Sequence, residues 1–305
     1  MSAEFEEVND GSAAATATAA GRSTMEVRGA SVVFGAGRRR GGGLKAVDDV
    51  TFSLPPGSAV GLVGASGSGK STAARMVLGL IKPTSGSVTY GDVEVSSLRG
   101  RKLKAYHRRV QMVFQDPYAA LNPVHTVEYA VSRPLRNFSE VGTTQATTKA
   151  HELLETVGLF PTAQFASKLP HQLSGGQRQR VVIARALACD PEFVVADEPV
   201  SMLDVSMRAG VLGLLAKLRA ERGLTLLYIT HDLLSARVVT DTIMVMHEGK
   251  IVESGPTKDV LQNPTDDYTR LLLDAVANPF AADHGSEATS ERRASTRSAE
   301  RSESE

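Results

Sequence analysis

The chain has 305 residues, enough for one large domain or two modest ones, and 42% of them are hydrophobic. Its 34 Lys and Arg balance 34 Asp and Glu, so nothing supports a basic nucleic-acid footprint, and no nucleic-acid partner is expected. One cysteine, Cys189, excludes an intrachain disulfide and a thiolate metal cluster and reads as a small buried residue in a reducing compartment.

Residues 1–24 are small, polar and aperiodic, so they are expected to be disordered. They open acidic, with Glu4, Glu6 and Glu7, and lack the Leu-rich core of a secretory signal. No apolar run approaches the roughly 20 residues a membrane helix needs. The expectation is a cytosolic protein whose link to a membrane comes through a partner.

One folded unit is expected over residues 25–278. Near its start, Gly35–Gly43 (GAGRRRGGG) reads as a flexible loop, its arginines solvated or within reach of phosphates or lipid headgroups. Five apolar runs then read as strands: Ala59–Val63, Val110–Phe114, Phe193–Ala196, Leu226–Thr230 and Ile243–Met246. They are continuous rather than alternating, as in strands buried on both faces. About 116–188 carries no strand signal and is expected to be helical. Within it Ala150, Leu153, Leu154 and Val157 keep helical spacing, and Gly158 stands where a C-terminal cap belongs. Strands alternating with helices indicate an α/β fold with a largely parallel sheet. Residues 279–305, rich in Ser, Arg and Glu, are expected to be a second disordered tail.

Gly64-Ala65-Ser66-Gly67-Ser68-Gly69-Lys70-Ser71 matches the phosphate-binding pattern G-x-x-x-x-G-K-[ST] in full. It follows an apolar run and precedes a helical stretch that opens with Ser71-Thr72. Glycines let backbone N–H groups turn onto anionic oxygens. The helix start adds free N–H donors and a favourable dipole. Lys70 supplies charge to the β- and γ-phosphates of ATP, and Ser71 offers a hydroxyl to Mg²⁺. Chance matches occur in roughly 1% of chains this long, and the flanking strand and helix make a mere Gly-Ser loop rarer still.

Ligands of open α/β sheets bind beyond the carboxyl ends of the strands. There the apolar runs are followed by Gln115, by Asp197 and Glu198, and by His231. Asp197 can hold Mg²⁺, Glu198 can act as base for the attacking water, Gln115 can bind metal or water, and His231 can contact the γ-phosphate. Taken singly, a carboxylate after a strand is usually a helix cap. Grouped at one edge with a phosphate loop, these residues read as a site.

Leu173-Ser174-Gly175-Gly176-Gln177 precedes a helical run over Arg178–Ala188. Ser174 and Gln177 form an S-x-x-Q capping box. That leaves Gly175 and Gly176 unexplained, since glycine in a first turn costs about 1 kcal/mol relative to alanine. They suit a backbone that a ligand approaches, so this is expected to be a second anion site, serving another nucleotide or the same one from a partner chain.

Together these motifs resemble the ATP-binding subunit of an ABC transporter, over about residues 25–278. The resemblance implies a P-loop NTPase core with a mostly parallel sheet, an antiparallel β subdomain and a helical insertion. It implies that Phe34 stacks on adenine, that Gly64–Thr72 cradle ATP, and that Glu198, His231 and Gln115 are the catalytic residues. Ser71, Gln115 and Asp197 would hold Mg²⁺. It further implies that Asp204 is a nucleotide-binding residue, and a head-to-tail dimer in which Ser174–Gln177 of one chain close over ATP on the other. The expected partners are two transmembrane permease subunits, docked after Gln115, a second ATPase subunit (a related chain or an identical one) and an extracytoplasmic substrate-binding protein. The expected place is the cytoplasmic face of the membrane.

Phe114-Gln115-Asp116-Pro117-Tyr118, Leu121-Asn122-Pro123, and Asn263-Pro264 followed by Tyr268-Thr269-Arg270-Leu271-Leu272 are similar to the dipeptide, oligopeptide and nickel importer ATPases. Some oligosaccharide importers share the pattern. Met202 stands where alanine is common, Phe34 where tyrosine is, and Asp266-Asp267 where His-Pro is. An importer motor is the leading reading; an exporter motor or a non-transport relative is the alternative.

Overall fold

The computed structural model describes residues 22–35, 43–138 and 141–277. The two terminal segments expected to be disordered lie outside the described residues, apart from 22–24, and so does most of the Arg38–Arg40 loop. Arg22, at the end of the first of those segments, donates from its guanidinium to the carbonyls of Arg222 and Gly223.

The order is β1 (Met25–Phe34), β2 (Leu44–Leu54), β3 (Ala59–Val63), α1 (Lys70–Val77), β4 (Ser85–Tyr90), β5 (Val93–Glu94), α2 (Gly100–Arg109) and β6 (Val110–Val113). Next come α3 (Pro117–Ala120), α4 (Val127–Phe138), α5 (Thr143–Thr156), α6 (Thr162–Ala166) and α7 (Gly175–Leu187). β7 (Phe193–Asp197), α8 (Val205–Arg222), β8 (Thr225–Thr230), α9 (Leu233–Val239) and β9 (Thr242–His247) follow. The described chain ends with β10 (Lys250–Pro256), α10 (Thr257–Gln262) and α11 (Asp267–Ala277).

Two sheets form. One has six strands in the order β10-β9-β3-β8-β7-β6, parallel except for β10. The other is antiparallel, in the order β2-β1-β4-β5. The fold is thus α/β with a mostly parallel sheet and an antiparallel subdomain.

The continuous apolar runs have a simple cause. Successive side chains of a strand point to opposite faces. On β8, Leu226 and Tyr228 enter one core, shared with α4, α5, α7 and α8, while Leu227 and Ile229 enter another, shared with α1 and the antiparallel sheet. β7 divides the same way: Val194 and Ala196 on one side, Phe193 and Val195 on the other. A strand with a core on each face can alternate nothing but apolar with apolar.

β8 extends the expected run by one residue and β9 by one at each end, to Thr225–Thr230 and Thr242–His247, and two strand ends at the site edge also differ. β6 stops at Val113, and Phe114, expected inside it, lies half-exposed beyond the sheet. β7 runs one residue further, so Asp197 belongs to the strand itself. In the antiparallel sheet, β1 and β2 pair with bulges between Val27 and Val33. Each bulge shifts the alternation by one residue, which blurs the period-2 signal there. Away from the bulges it survives, as at the end of β2, with Val50, Phe52 and Leu54 inward and Thr51 and Ser53 outward.

Candidate nucleotide site

β3 lies inside the six-stranded sheet, between β9 and β8, and the loop Gly64–Gly69 joins it to α1. The loop has to curl tightly against its neighbours. Gly64 has φ +154°, and a Cβ there would sit 2.2 Å from the Met246 carbonyl oxygen. Gly69 has φ +107°, and its Cβ would sit 2.2 Å from the Ala46 carbonyl oxygen. No other residue type fits either place. Gly69 is also the N-cap of α1 and has no side chain to cap with. Thr72 N–H donates to the Gly69 carbonyl, and the Lys70 and Ser71 N–H groups before it stay open to an anion.

Lys70 is buried, and its ammonium donates to the carbonyls of Gly64 and Ala65, both at 2.8 Å. Burial pulls its pKa down, against the opposing pull of the Glu198 and Asp197 carboxylates. Next to it, the Ser71 hydroxyl lies 3.5 Å from Asp197 Oδ1. Burial raises the pKa of Asp197, the Ser71 hydrogen bond lowers it, and repulsion from Glu198 raises it again.

Glu198 follows β7 in a left-handed turn, φ +45°. Such a conformation costs a non-glycine residue about 1 kcal/mol or more and persists only where the surroundings enforce it. Here the Glu198 N–H donates to the Ile229 carbonyl at 2.8 Å, and the Glu198 carbonyl accepts from the Ser201 hydroxyl at 3.0 Å. The carboxylate is thereby aimed between two partners. Gln115 Nε2 donates to one oxygen at 2.9 Å, and His231 Nδ1 lies 3.0 Å from the other. Three strand ends thus meet on one carboxylate.

Phe34, Ala65, Ser66, Gly67, Gly69, Lys70, Ser71, Thr72, Gln115, Glu198 and His231 border one open cleft of about 760 Å³, in the size range of small-ligand sites. Leu44, Ala46, Leu272 and Ala275 border it too. No period or motif marked those four as site residues. Tyr268 was marked only as a subgroup signature, and it touches the loop directly.

Ser174–Gln177 and Asp204 do not border this cleft. The expected capping box on α7 is present: Gln177 N–H donates to Ser174 Oγ at 3.3 Å, and Ser174 N–H to Gln177 Oε1 at 3.1 Å. Gly176 has an internal reason to be glycine beside the expected one. A Cβ there would lie 2.9 Å from Met207 Sδ on α8. Gly175 keeps the simpler reading, because its Cβ would meet only Leu203, at 3.4 Å. Asp204 caps α8, accepting from Met207 N–H at 2.9 Å and from the Ser206 hydroxyl at 2.7 Å. Those hydrogen bonds, Ser206 first, hold its carboxyl below the usual range.

Ser71, Asp197 and Gln115 offer hydroxyl, carboxylate and amide oxygens, the hard donors that suit Mg²⁺. Among the described residues no cluster of three or more His, Cys, Asp or Glu could hold a metal alone. The donor set therefore fits a cation that shares its coordination with phosphate oxygens.

A phosphate loop on a mostly parallel sheet, with polar groups at neighbouring strand ends, defines a P-loop NTPase. The ABC transporter family model matches residues 47–201. The chain is 46% identical over 240 residues to the oligopeptide transport ATP-binding protein OppF of Bacillus subtilis, covering 78% of each chain. It is 43% identical over 265 residues to AppF of the same organism, covering 85% of this chain and 80% of that one. A solved dimer of an ATP-binding cassette in a post-hydrolysis state, bound to ADP and Pi, aligns with TM-score 0.68 at 31% identity, covering 76% of this chain and 98% of that one. The chain belongs to the ABC transporter family, and its activity is that of an ATPase.

The raised pKa of Asp197 makes a stability prediction. Its charged form costs the nucleotide-free fold stability above that raised value, and the cost fades as pH falls through it toward the usual carboxylate range. Asp197→Asn is expected to raise the Tm at about pH 7 without Mg²⁺ and nucleotide, with the gain shrinking as pH falls and lost below about pH 4. A lower Tm at neutral pH, read by calorimetry, would contradict this.

Proposed function

We propose that the chain is the ATP-hydrolysing motor subunit of an ABC importer that takes up oligopeptides. The observation that carries the hydrolytic part is the Glu198 carboxylate, held between Gln115 and His231 at the edge of the phosphate-loop cleft. Phe34 is the half-exposed aromatic on that cleft and would stack on the base. Lys70 and the first-turn N–H groups of α1 would take the β- and γ-phosphates. Mg²⁺, held by Ser71, Asp197 and Gln115, would supply charge to neutralise phosphate oxygens.

Glu198 would draw a proton from water as that water attacks the γ-phosphorus. Gln115 and His231 hold the carboxylate in place by hydrogen bonds to its two oxygens. As the water loses its proton, His231 can turn its donor toward the γ-phosphate. Ser174–Gln177 and Asp204, apart from this cleft, would close over ATP bound to a second ATPase chain. Gln177 N–H goes to Ser174 Oγ and Gly176 N–H to Met207 Sδ, which leaves the Gly175 N–H and the Ser174 hydroxyl proton as the means of doing so.

The peptide part of the reading rests on the relatives, which are oligopeptide transport ATP-binding proteins. Among the described residues no helix is long and apolar enough to cross a membrane, so the pathway would belong to two permease subunits. Phe114, Tyr118 and Val124 are large apolar side chains left exposed after β6. They suit docking to such a partner at the cytoplasmic face. Tyr118 also covers the Arg178 guanidinium, 3.7 Å from its ring centroid. Arg178 is buried and donates to the carbonyls of Pro170 and Leu173, which ties the docking segment to the start of α7. An extracytoplasmic binding protein would deliver the peptide.

Glu198→Gln is expected to keep ATP affinity and to lower kcat by about 10²–10⁴. Single-turnover hydrolysis at the wild-type rate would remove Glu198 as the base. In cells, Lys70→Ala is expected to abolish uptake of labelled oligopeptides. Undiminished peptide uptake, or loss of export instead, would contradict the importer reading.

A further inference from the structure

The Tyr268–Leu272 run marks a subgroup in sequence, but the hydrolytic groups described above make no use of it. It opens α11, yet its first residue reaches the phosphate loop. The Ala65 N–H donates to the Tyr268 hydroxyl at 3.0 Å. Ala65 is the second residue of the loop, where the chain turns out of β3.

The tyrosine is itself held in place. His247 stacks on its ring, centroids 3.7 Å and planes 27° apart. His247 ends β9, next to the Met246 carbonyl that abuts Gly64. The approach to α11 is pinned by Glu253 on β10, whose carboxylate accepts from Thr265 N–H at 2.8 Å, Thr265 Oγ1 at 2.9 Å and Asp266 N–H at 3.2 Å. Asp266 then accepts from Tyr268 N–H at 2.9 Å and so caps the helix. A residue that breaks the subgroup pattern thus takes a cap role that aspartate fills well. One turn further on, Leu272 borders the cleft together with Phe34.

We propose that Tyr268 is a positioning residue for the phosphate loop and that α11 is a wall of the nucleotide cleft. The C-terminal helix then sets nucleotide affinity while taking no part in hydrolysis. The physical reason is preorganisation. A fixed hydroxyl oxygen satisfies the Ala65 amide and limits the conformations the first turn of the loop can adopt. Without it, that amide turns to water and the nucleotide has to order the loop on binding. One neutral hydrogen bond of this kind corresponds to roughly a fivefold change in affinity. It acts on the loop rather than on the γ-phosphate, so ADP and ATP should feel it equally. The inference needs only that nucleotide binds at the phosphate loop.

The test compares the wild-type full-length chain with Tyr268→Phe, which keeps the ring and its stacking on His247. Titration calorimetry with MgADP and with MgATP gives the two affinities. The ATPase assay of the assembled transporter gives KM and kcat. The expected result is a Kd roughly fivefold higher for both nucleotides, a KM raised alike and an unchanged kcat. Leu272→Asp, which puts a charge into the wall, is expected to weaken both nucleotides as well. Unchanged affinities, or a lower kcat at unchanged KM, would overturn the proposal while leaving the ATPase intact. A wild-type chain that binds neither nucleotide would overturn the nucleotide reading and this proposal together.

Discussion

The ammonium of Lys70 is taken out of water, and the rest of the site is built around that fact. Moving such a charge into a protein interior costs several kcal/mol unless it is paired or solvated by dipoles. The chain solvates it with its own loop, through the carbonyls of Gly64 and Ala65. To aim both carbonyls inward the loop must double back, which requires glycine at 64 and 69 and close backing by the Met246 and Ala46 carbonyls. Asp197 and Glu198 add negative charge from β7 and oppose the downward pull of burial on the lysine. A polyanion entering the cleft meets a preformed cation and the open first turn of α1.

The two-faced sheet makes this placement rigid. β3, β7 and β8 lie side by side, each with one core on either face, so their ends cannot shift independently. Glu198 depends on that rigidity. Its strained turn is held by the Ile229 carbonyl at the end of β8, and its carboxylate by Gln115 beyond β6 and His231 beyond β8. The glycine-rich start of α7 lies apart from this cleft and makes its own capping box. Under the proposed function the first serves ATP bound by this chain and the second serves ATP bound by another, as in a head-to-tail pair.

Much of this was legible in the sequence, for identifiable reasons. Gly64–Ser71 is contiguous, and the chemistry dictates each of its fixed residues. Gln115, Asp197, Glu198 and His231 were legible because parallel strands buried on both faces read as plain apolar runs, and the residues after them share one edge. Other features were not legible. The bulges in β1 and β2 break the alternation by which antiparallel strands are read. Phe114 continues an apolar run but lies past the end of β6. Gly176 packs against Met207, on another helix. Tyr268 meets Ala65 across 203 positions of chain, and no local pattern encodes such a contact.

On the proposed function this cleft is half of a hydrolytic site, completed by Ser174–Gln177 of a second ATPase chain. The most direct test is the ATPase rate per chain at saturating MgATP, for the chain alone at submicromolar concentration and in the assembled transporter. The isolated chain is expected to bind ATP but turn it over slowly, with a gain of well over tenfold on assembly. An equal rate per chain in both states would show that the cleft is complete by itself and would contradict the account.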